Sequence, residues 1–313
     1  MRLLITGGAG CLGFNLIEEH LTQDNEILVI DNFATGSREA LAASPRLEIV
    51  DGTVADRELV DAVFTRFAPT HVIHSAASYK DPNNWRGDVA TNVTGTINTV
   101  DAARHVGVER FVYLQTALCY GRPERVPIPV DHPTRPFTSY GISKTAGEAY
   151  LAISDLPWVS LRLANITGPR LAIGPIPTFY RRLKSGEKCF CTDTIRDFLD
   201  ISDFLALMKV VLRDDAPTGI FNVSTGEGHT IAEVFDTIAT CLGITLAEAV
   251  PVVPPAADDV PAVVLDPSRT RAALGWRAEL GLSESIARMV RWYDTHGVPV
   301  IHSHLRPPPA EES

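Results

Sequence analysis

The sequence predicts a doubly wound α/β protein, in which helices cover both faces of a parallel sheet, with a smaller α/β substrate lobe attached. Two observations lead to this fold class. Short apolar runs alternate with helical stretches through the first half of the chain, and most of these runs are nearly continuous in apolar residues. Strands of that kind are buried on both faces. The length of 313 residues also leaves room for two domains or one large α/β unit.

The elements of the first half follow from their spacing. The predicted strands are Leu3–Thr6, Glu26–Asp31, Leu47–Val50, His71–His74, Phe111–Gln115 and Trp158–Leu163. The predicted helices are Leu12–Leu21, Arg57–Phe67, Asp88–Val106 and Ser139–Ser154. This regular alternation is what a parallel sheet with crossover helices requires.

After Asn165, glycines and prolines interrupt the pattern, which indicates that the chain leaves the sheet. The tail, His304–Ser313, contains three consecutive prolines and is expected to fray. The predicted domains are a first domain of residues 1–165, to which 196–223 return, and a substrate-binding lobe of 166–195 and 224–313.

Charge and cysteine content exclude several classes of function. The chain has 28 Lys and Arg against 38 Asp and Glu, a net charge of −10, whereas nucleic acid and anionic membranes both need a positive surface. Five cysteines are odd in number and sparse, which favours a reducing compartment. Cys189 and Cys191 have no second pair or histidine cluster to complete a zinc site, so no metal is expected. A signal peptide and an apolar membrane span are both missing from the sequence, so we expect a cytoplasmic protein.

A glycine-rich segment carries the first chemical signal. Gly7, Gly10 and Gly13 have the spacing G-x-x-G-x-x-G directly after the first strand and at the start of the first helix. Glycines there permit a tight turn, a close approach of backbone to pyrophosphate, and close packing of helix on sheet. Asp31 ends the second strand, where a carboxylate can accept both hydroxyls of an adenosine ribose and repels a 2′-phosphate. This is the Rossmann pattern and favours NAD over NADP, although Asp31 and Asn32 could also be a simple turn signal.

Thr116, Tyr140 and Lys144 form a second constellation. Tyr140 and Lys144 are four residues apart, so on a helix they share one face. A neighbouring ammonium is expected to lower the pKa of the phenol, and such a tyrosine can remove a hydroxyl proton. Thr116 ends the fifth strand, where its hydroxyl can orient a substrate oxygen. A solvated helix face is the ordinary explanation of a Y-x-x-x-K pair, and the preceding dinucleotide motif is what favours catalysis.

With these motifs, the sequence resembles the extended short-chain dehydrogenase/reductases, in their nucleotide-sugar epimerase/dehydratase branch. The resemblance runs from Leu3 to about Tyr293 and is strongest to epimerases of bacterial O-antigen and surface-polysaccharide gene clusters. It is carried by ITGGAGCLG (5–13), HSAA (74–77), QTALCYG (115–121), YGISK (140–144), LRLANITGPR (161–170) and RDFLDISDF (196–204). It implies tightly held NAD, a nucleoside-diphosphate sugar as substrate, a 4-keto sugar intermediate, and a homodimer built on the helices at Asp88–Val106 and Ser139–Ser154.

The resemblance also implies a set of site residues. Those at the cofactor are Gly7, Gly10, Cys11, Leu12, Gly13, Asp31, Asn32, Thr53, Val54, Ala76, Asn92, Tyr140 and Lys144. Those at the substrate are Tyr79, Thr116, Asn165, Arg170, Phe179 and Arg196. Arg196 could form a fork to the diphosphate, and the alternative for either arginine is an exposed ion pair. Lys80 could meet a carboxylate of a uronic acid, although a surface lysine is the simpler explanation.

The chain departs from the family pattern at two walls of the nucleotide pocket. Thr53 stands where an adenine-binding Asp is expected, and Ala256 stands where a phosphate-binding Arg is expected. UDP is the default nucleotide.

The residues after Thr116 select among reactions. Ala117 and Leu118 occupy the places where the family's 4,6-dehydratases have an Asp-Glu pair, and neither can transfer a proton. The glutamate of the decarboxylases is also missing. We therefore expect a 4-epimerase, which oxidises C4, lets the ketosugar turn over, and reduces its other face. A dehydratase or decarboxylase of the same family, and a non-catalytic NAD-binding regulator, are the alternatives.

Overall fold

The computed structural model describes residues 1–36, 38, 41, 43–79, 81–256 and 259–299. Its strands are β1 (Arg2–Thr6), β2 (Glu26–Asp31), β3 (Leu47–Asp51), β4 (His71–His74), β5 (Arg110–Thr116), β6 (Trp158–Leu163), β7 (Asn165–Thr167), β8 (Cys191–Thr192), β9 (Ile195–Arg196), β10 (Phe198–Asp200), β11 (Gly219–Val223), β12 (His229–Thr230), β13 (Val252–Val253) and β14 (Ala262–Val263). Its α-helices are α1 (Cys11–Leu21), α2 (Arg57–Phe67), α3 (Trp85–Asp88), α4 (Gly95–Val106), α5 (Ser139–Ala152), α6 (Pro175–Ser185), α7 (Ile201–Val211), α8 (Ile231–Cys241), α9 (Ser268–Leu274) and α10 (Leu282–His296). The predicted tail segment and Lys80 lie outside the described residues.

A seven-stranded parallel sheet forms the centre of the described chain, in the order β11-β6-β5-β4-β1-β2-β3. The chain builds outward from β1 to β3 and then crosses back, so that β4 pairs with the other edge of β1. This reversal between β1 and β4 opens a crevice at the carboxyl ends of the strands, where doubly wound proteins bind their ligands. The predicted fold class is confirmed, and the predicted strands each correspond to a strand of this sheet.

Helices cover both faces of the sheet and bury its apolar side chains. One core lies between the sheet and helices α1 and α7, and the other lies beneath α2, α4 and α5. The single helix predicted over Asp88–Val106 is interrupted, because a π-helical turn (Val89–Thr94) separates α3 from α4. Turns of this kind often occur at functional sites, and this one contains Asn92.

The smaller lobe has its own apolar core between α6, α8 and α10. Short strands lie around it, with β9 between β12 and β14, and β8 paired with β13. The predicted domain boundaries stay a prediction, and one contact differs from them. Trp276 belongs to the predicted lobe, yet it is buried beneath the central sheet and its indole N–H donates to the carbonyl oxygen of Asp203 at 3.0 Å. None of the described helices is both long and apolar enough to span a membrane.

Candidate active site

A cavity of about 670 Å³ lies at the carboxyl ends of the central strands, where the lobe adjoins the sheet. Its size is typical of a pocket for a small organic ligand. The segments that follow β1 to β6 form one side, and residues 171–176 of the lobe form part of the other. Thirteen predicted site residues line it, namely Gly7, Gly10, Cys11, Leu12, Asp31, Asn32, Thr53, Val54, Ala76, Tyr79, Thr116, Tyr140 and Asn165.

The glycine-rich turn has the geometry that a pyrophosphate needs. Gly7 has a φ of +70°, and a Cβ atom there would lie 2.8 Å from the backbone of Ala76. A Cβ on Gly13 would lie 2.5 Å from the carbonyl oxygen of Gly7, so Gly13 lets α1 pack closely behind the turn. Gly10 is the N-cap of α1 and supplies no side-chain cap. The turn and the first N–H groups of α1 therefore face the cavity unshielded by side chains, which suits an anion.

Asp31 is fixed beside this turn by two backbone donors. Its carboxylate accepts hydrogen bonds from the N–H groups of Ala9 and Phe33, both at 2.8 Å. Burial raises the pKa of Asp31 and these two bonds oppose the rise. Each carboxylate oxygen keeps a second lone pair for a ribose hydroxyl. Asn32 makes the turn that was the alternative explanation, since its side-chain oxygen accepts from the N–H of Ala34 at 3.1 Å, and it also lines the cavity.

In the cavity wall that follows β3, Thr53 stands in place of the expected Asp. Thr53 lines the cavity, and its hydroxyl accepts from the N–H of Ala55 at 3.2 Å. The side-chain amide of Asn98 donates to the carbonyl oxygens of Val54 and Ala55 at 3.0 and 3.2 Å. This wall is thus held by internal hydrogen bonds, and Thr53 offers a neutral hydroxyl in place of a carboxylate.

Thr116 and Tyr140, which the sequence predicts to be catalytic, lie together in the cavity. The phenol hydrogen-bonds to Thr116, and the ring of Tyr79 contacts Tyr140 edge-on with centroids 6.0 Å apart. Burial raises the pKa of Tyr140, the neighbouring Tyr79 and Asp88 raise it further, and the Thr116 hydrogen bond lowers it. The expectation of a lowered phenol pKa is therefore wrong for the protein alone, because burial outweighs the hydrogen bond.

Lys144 lies behind Tyr140, is 1% exposed, and does not line the cavity. Its ammonium lies 3.9 Å from the centre of the Tyr113 ring, where the π face attracts a cation. Burial lowers the pKa of Lys144 to about 7, and the nearby Glu148 opposes the shift. An amine with this pKa can change its protonation state near neutral pH.

Two buried polar residues near the cavity, Asn92 and His74, make their hydrogen bonds to other protein groups. Asn92 is 1% exposed and outside the cavity lining, because its amide is bonded to Ser78 and Ser143. This corrects its assignment as a residue that lines the cofactor. His74 is also buried, with its ring nitrogens 2.8 and 3.0 Å from the hydroxyls of Thr6 and Thr96. It is a core histidine whose two ring nitrogens are both satisfied by hydroxyl side chains.

The structure does not bring three predicted substrate residues to the cavity. Arg170 stacks 3.3 Å from the centre of the Phe14 ring and pairs with Glu18, which is the alternative of an ion pair. Phe179 is 4% exposed in the core of the lobe, since it faces the centre of the lobe from α6. Arg196 is held by the carboxylate of Asp259 at 2.6 Å. The positions of these side chains correct the assignments of Arg170, Phe179 and Arg196 as cavity-lining residues.

Several residues that line the cavity were not predicted from the sequence. The polar ones are Thr35, Ser75, Ser78, Asp81, Asn84, Thr91, Gln115 and Thr167. The apolar ones on the side of the lobe are Leu171, Ile173, Pro175 and Ile176. Ser75 belongs to the HSAA motif and Ser78 follows it, so this motif was the available signal for both. The lobe residues follow the Gly-Pro interruptions, which gave no indication of which side chains face the ligand.

A group of potential metal ligands lies away from this cavity. His71, Glu109 and Asp214 place one ligand atom each within 4.8 Å of one another. His71 begins β4 and Glu109 precedes β5, so the group lies at the amino ends of the strands, opposite the cavity. This group is therefore separate from the cavity that the glycine turn and Asp31 line.

Comparisons with known proteins agree with this geometry. The model of the NAD dependent epimerase/dehydratase family matches residues 3–224. The UDP-glucose 4-epimerase of Corynebacterium glutamicum is 32% identical over 311 residues, which cover 89% of this chain and 91% of the relative. The crystal structure of the Bordetella bronchiseptica enzyme WbmG in complex with NAD and UDP has a TM-score of 0.93 at 62% identity, covering 98% of each chain. The Thermus thermophilus UDP-glucose 4-epimerase in complex with NAD has a TM-score of 0.85 at 33% identity, covering 95% of this chain and 100% of that one.

Proposed function

Because the chain belongs to the NAD-dependent epimerase/dehydratase family, with NAD as its cofactor, we propose that it inverts C4 of a nucleoside-diphosphate sugar through a transient 4-keto sugar. UDP is the proposed nucleotide. The similarity to the C. glutamicum UDP-glucose 4-epimerase and to WbmG bound to NAD and UDP supports both parts of the proposal.

One observation carries the choice of reaction. Thr116 and Tyr140 adjoin at the cavity, while the next two residues after Thr116 are Ala117 and Leu118. Elimination of water or loss of a carboxylate from the sugar needs further groups that move protons or stabilise charge beside the reacting carbons. The pair can move a proton at one hydroxyl, which is what inversion at a single oxidised carbon requires.

The residues would divide the work as follows. Bound NAD supplies the reversible oxidation of a carbinol carbon, and the glycine turn and Asp31 fit its pyrophosphate and adenosine ribose. Tyr140 removes the proton of the C4 hydroxyl and later returns one. Thr116 donates a hydrogen bond that orients the C4 oxygen. Lys144, when protonated, stabilises the phenolate by its charge and so opposes the burial that raises the pKa of Tyr140.

The lobe would complete the site for a sugar. Leu171, Ile173 and Ile176 form an apolar wall across from the sheet, and a wall of this kind excludes water from the reacting carbon. Asn165 is exposed to the cavity and is held by the carbonyl oxygen of Asp197, to which its amide donates at 3.1 Å. Its carbonyl oxygen is thus positioned to accept a hydrogen bond from a sugar hydroxyl.

The proposal includes a homodimer built on the helices at Asp88–Val106 and Ser139–Ser154, and α5 shows the exposed surface for it. Ile142, Ala149 and Tyr150 are exposed at helical spacing on α5, and Ile153, the C-cap of this helix, is 80% exposed. An exposed apolar stripe of this kind on a soluble protein is typical of an interaction surface. A second copy of the same helix would cover it symmetrically, and sedimentation of the purified protein would show the mass of a dimer.

Two measurements test the enzymatic proposal. Purified protein is incubated with a panel of nucleotide sugars without added cofactor, and NMR identifies the products. We expect a pair of C4 epimers of unchanged mass, and a product that has lost water or carbon dioxide would contradict the proposal. Tyr140→Phe should abolish turnover and still bind NAD, whereas Tyr150→Phe, which removes a hydroxyl from the same helix outside the cavity lining, should keep wild-type activity.

A further inference from the structure

We propose that Asp88 is a positioning residue that joins the loop after β4 to the start of α5 and thereby sets Tyr140 against Tyr79 at the reacting end of the cavity. This inference rests on the proposed function. Asp88 is 1% exposed. One of its carboxylate oxygens accepts from the hydroxyl of Ser78 at 2.9 Å, and the other accepts from the hydroxyl of Ser139 at 2.6 Å.

Asn92 makes a second bridge between the same two segments. Its amide oxygen accepts from the N–H of Ser78 at 2.8 Å, and its amide nitrogen donates to the carbonyl oxygen of Ser78 at 2.9 Å and to the hydroxyl of Ser143 at 3.0 Å. The Ser143 hydroxyl in turn donates to the carbonyl oxygen of Tyr140 at 3.0 Å. Asp88, Asn92, Ser78, Ser139 and Ser143 together form what we term the serine clamp.

The clamp acts on the two tyrosines through their immediate neighbours. Ser78 precedes Tyr79 and Ser139 precedes Tyr140, so a carboxylate that holds both serines fixes the spacing of both rings. The rings meet at an interplanar angle of 61°, and both side chains line the cavity. Because a small displacement of a reacting group can lower a rate about 100-fold, this spacing matters to the reaction.

The carboxylate has an electrostatic effect as well as a geometric one. The titratable groups that interact with Tyr140 are Tyr79, Asp88 and Tyr113, from the loop after β4, α3 and β5, and the amine of Lys144 lies over the Tyr113 ring. Of these, Asp88 is the anion, and it raises the pKa of Tyr140. The hydrogen bonds of Asp88 within the described residues come from hydroxyls, so its negative charge is not cancelled by a bound cation.

Two substitutions separate these effects. Asp88→Asn keeps a side chain of the same shape that can still bond both serines, and it removes the charge. Asp88→Ala removes both bonds and the charge. Ser139→Ala breaks only the link to α5 and serves if the alanine variant of Asp88 does not fold. Asp101→Asn is the matched control, because it removes a carboxylate from α4 outside the clamp.

The experiment compares kcat, KM, the pH profile of kcat and the near-ultraviolet phenolate absorbance of each holoenzyme, with Tyr140→Phe to identify the signal of Tyr140. Asp88→Asn should retain most of kcat at its pH optimum. The acid limb of its pH profile of kcat and the titration of its phenolate absorbance should both shift down by about one pH unit. Asp88→Ala and Ser139→Ala should lower kcat by about 10-fold to 100-fold with a smaller change in KM. Asp101→Asn should match the wild type.

Two results would overturn the inference. One is a kcat of Ser139→Ala or Asp88→Ala equal to that of the wild type. The other is an equal loss of kcat in the Asn and Ala variants of Asp88 with an unmoved phenolate titration, since that would be a structural effect alone. The phenolate titration needs no substrate, so it tests the clamp even if the wild type turns over no nucleotide sugar, an outcome that would count against the proposed function instead.

Discussion

Replacing Lys144 with Met should stabilise the protein while removing its activity. The structure lowers the pKa of the buried amine from 10.5 to about 7. At about 1.4 kcal/mol per pH unit, this corresponds to about 5 kcal/mol, of which about 4 kcal/mol applies at pH 7. The Tyr113 ring beneath the ammonium returns about 2 kcal/mol. Lys144→Met, with a similar volume and no charge, should therefore raise the free energy of unfolding by about 2 kcal/mol at pH 7.

The gain in stability of Lys144→Met over the wild type should depend on pH. Because the pKa of Lys144 is lower in the folded state, the unfolded chain binds more protons between pH 7 and about 10.5, and wild-type stability rises with pH in that window. The advantage of Lys144→Met should thus be greatest at pH 7 and below and should shrink as the pH approaches 10. Below pH 7 both states of the wild type are protonated, so the full penalty remains.

Urea unfolding followed by tryptophan fluorescence at pH 7 and pH 9.5 measures both effects. NAD is removed first, because a ligand that binds only the folded state adds its own stabilisation. Lys209→Met is the control, since that amine is half exposed and paired with Glu19, and its loss should change stability by less than about 1 kcal/mol. If Lys144→Met is less stable than the wild type by the same amount at both pH values, the argument from buried charge is refuted.

Three further substitutions test the site and the corrected assignments. Gly7→Ala should destabilise the protein by about 2 kcal/mol or more, because the new methyl group would meet the backbone of Ala76 at a positive φ; unfolding that matches the wild type would contradict this. Asp31→Asn should keep the fold and weaken NAD binding at least about 10-fold, since a charge-assisted bond to the ribose is lost, and calorimetry showing an unchanged Kd would rule out the ribose contact. Phe179→Ala should lower the free energy of unfolding by about 3 kcal/mol or more, because the ring packs on Phe235 at 5.1 Å, with KM for the nucleotide sugar unchanged; a raised KM with intact stability would return Phe179 to the pocket.

The cofactor half of the site was predictable because its signals are local in sequence. Gly7 needs a positive φ, and Asp31 stands at a strand end, so position along the chain determines the place of each in the fold. In a parallel sheet all carboxyl ends meet at one edge. The turn after β1 and the end of β2 therefore had to be neighbours once both strands were assigned, and no knowledge of side-chain packing was required.

The predicted substrate-binding residues were harder to place, because their positions depend on tertiary contacts that the spacing of residues in the sequence does not encode. Arg170 has a φ of +68°, and its side chain turns back to Glu18 on α1, more than 150 positions earlier. Arg196 meets Asp259 across a loop of the lobe. Phe179 is different, because Ile176, Phe179 and Leu183 repeat at helical spacing. That periodicity predicts a core position, so the signal existed in the sequence and the family resemblance outweighed it.

The Tyr140–Lys144 pair shows most clearly what spacing leaves open. A separation of four residues places both side chains on one face of α5, but it does not say how deeply each is buried. In the structure, burial moves the two pKa values apart, raising that of the phenol and lowering that of the amine to about 7. Each group is thereby biased toward its neutral form. Catalysis by Tyr140 consequently needs a positive charge close to the phenol, and Lys144→Met, which removes that charge, should bind NAD and fail at proton removal.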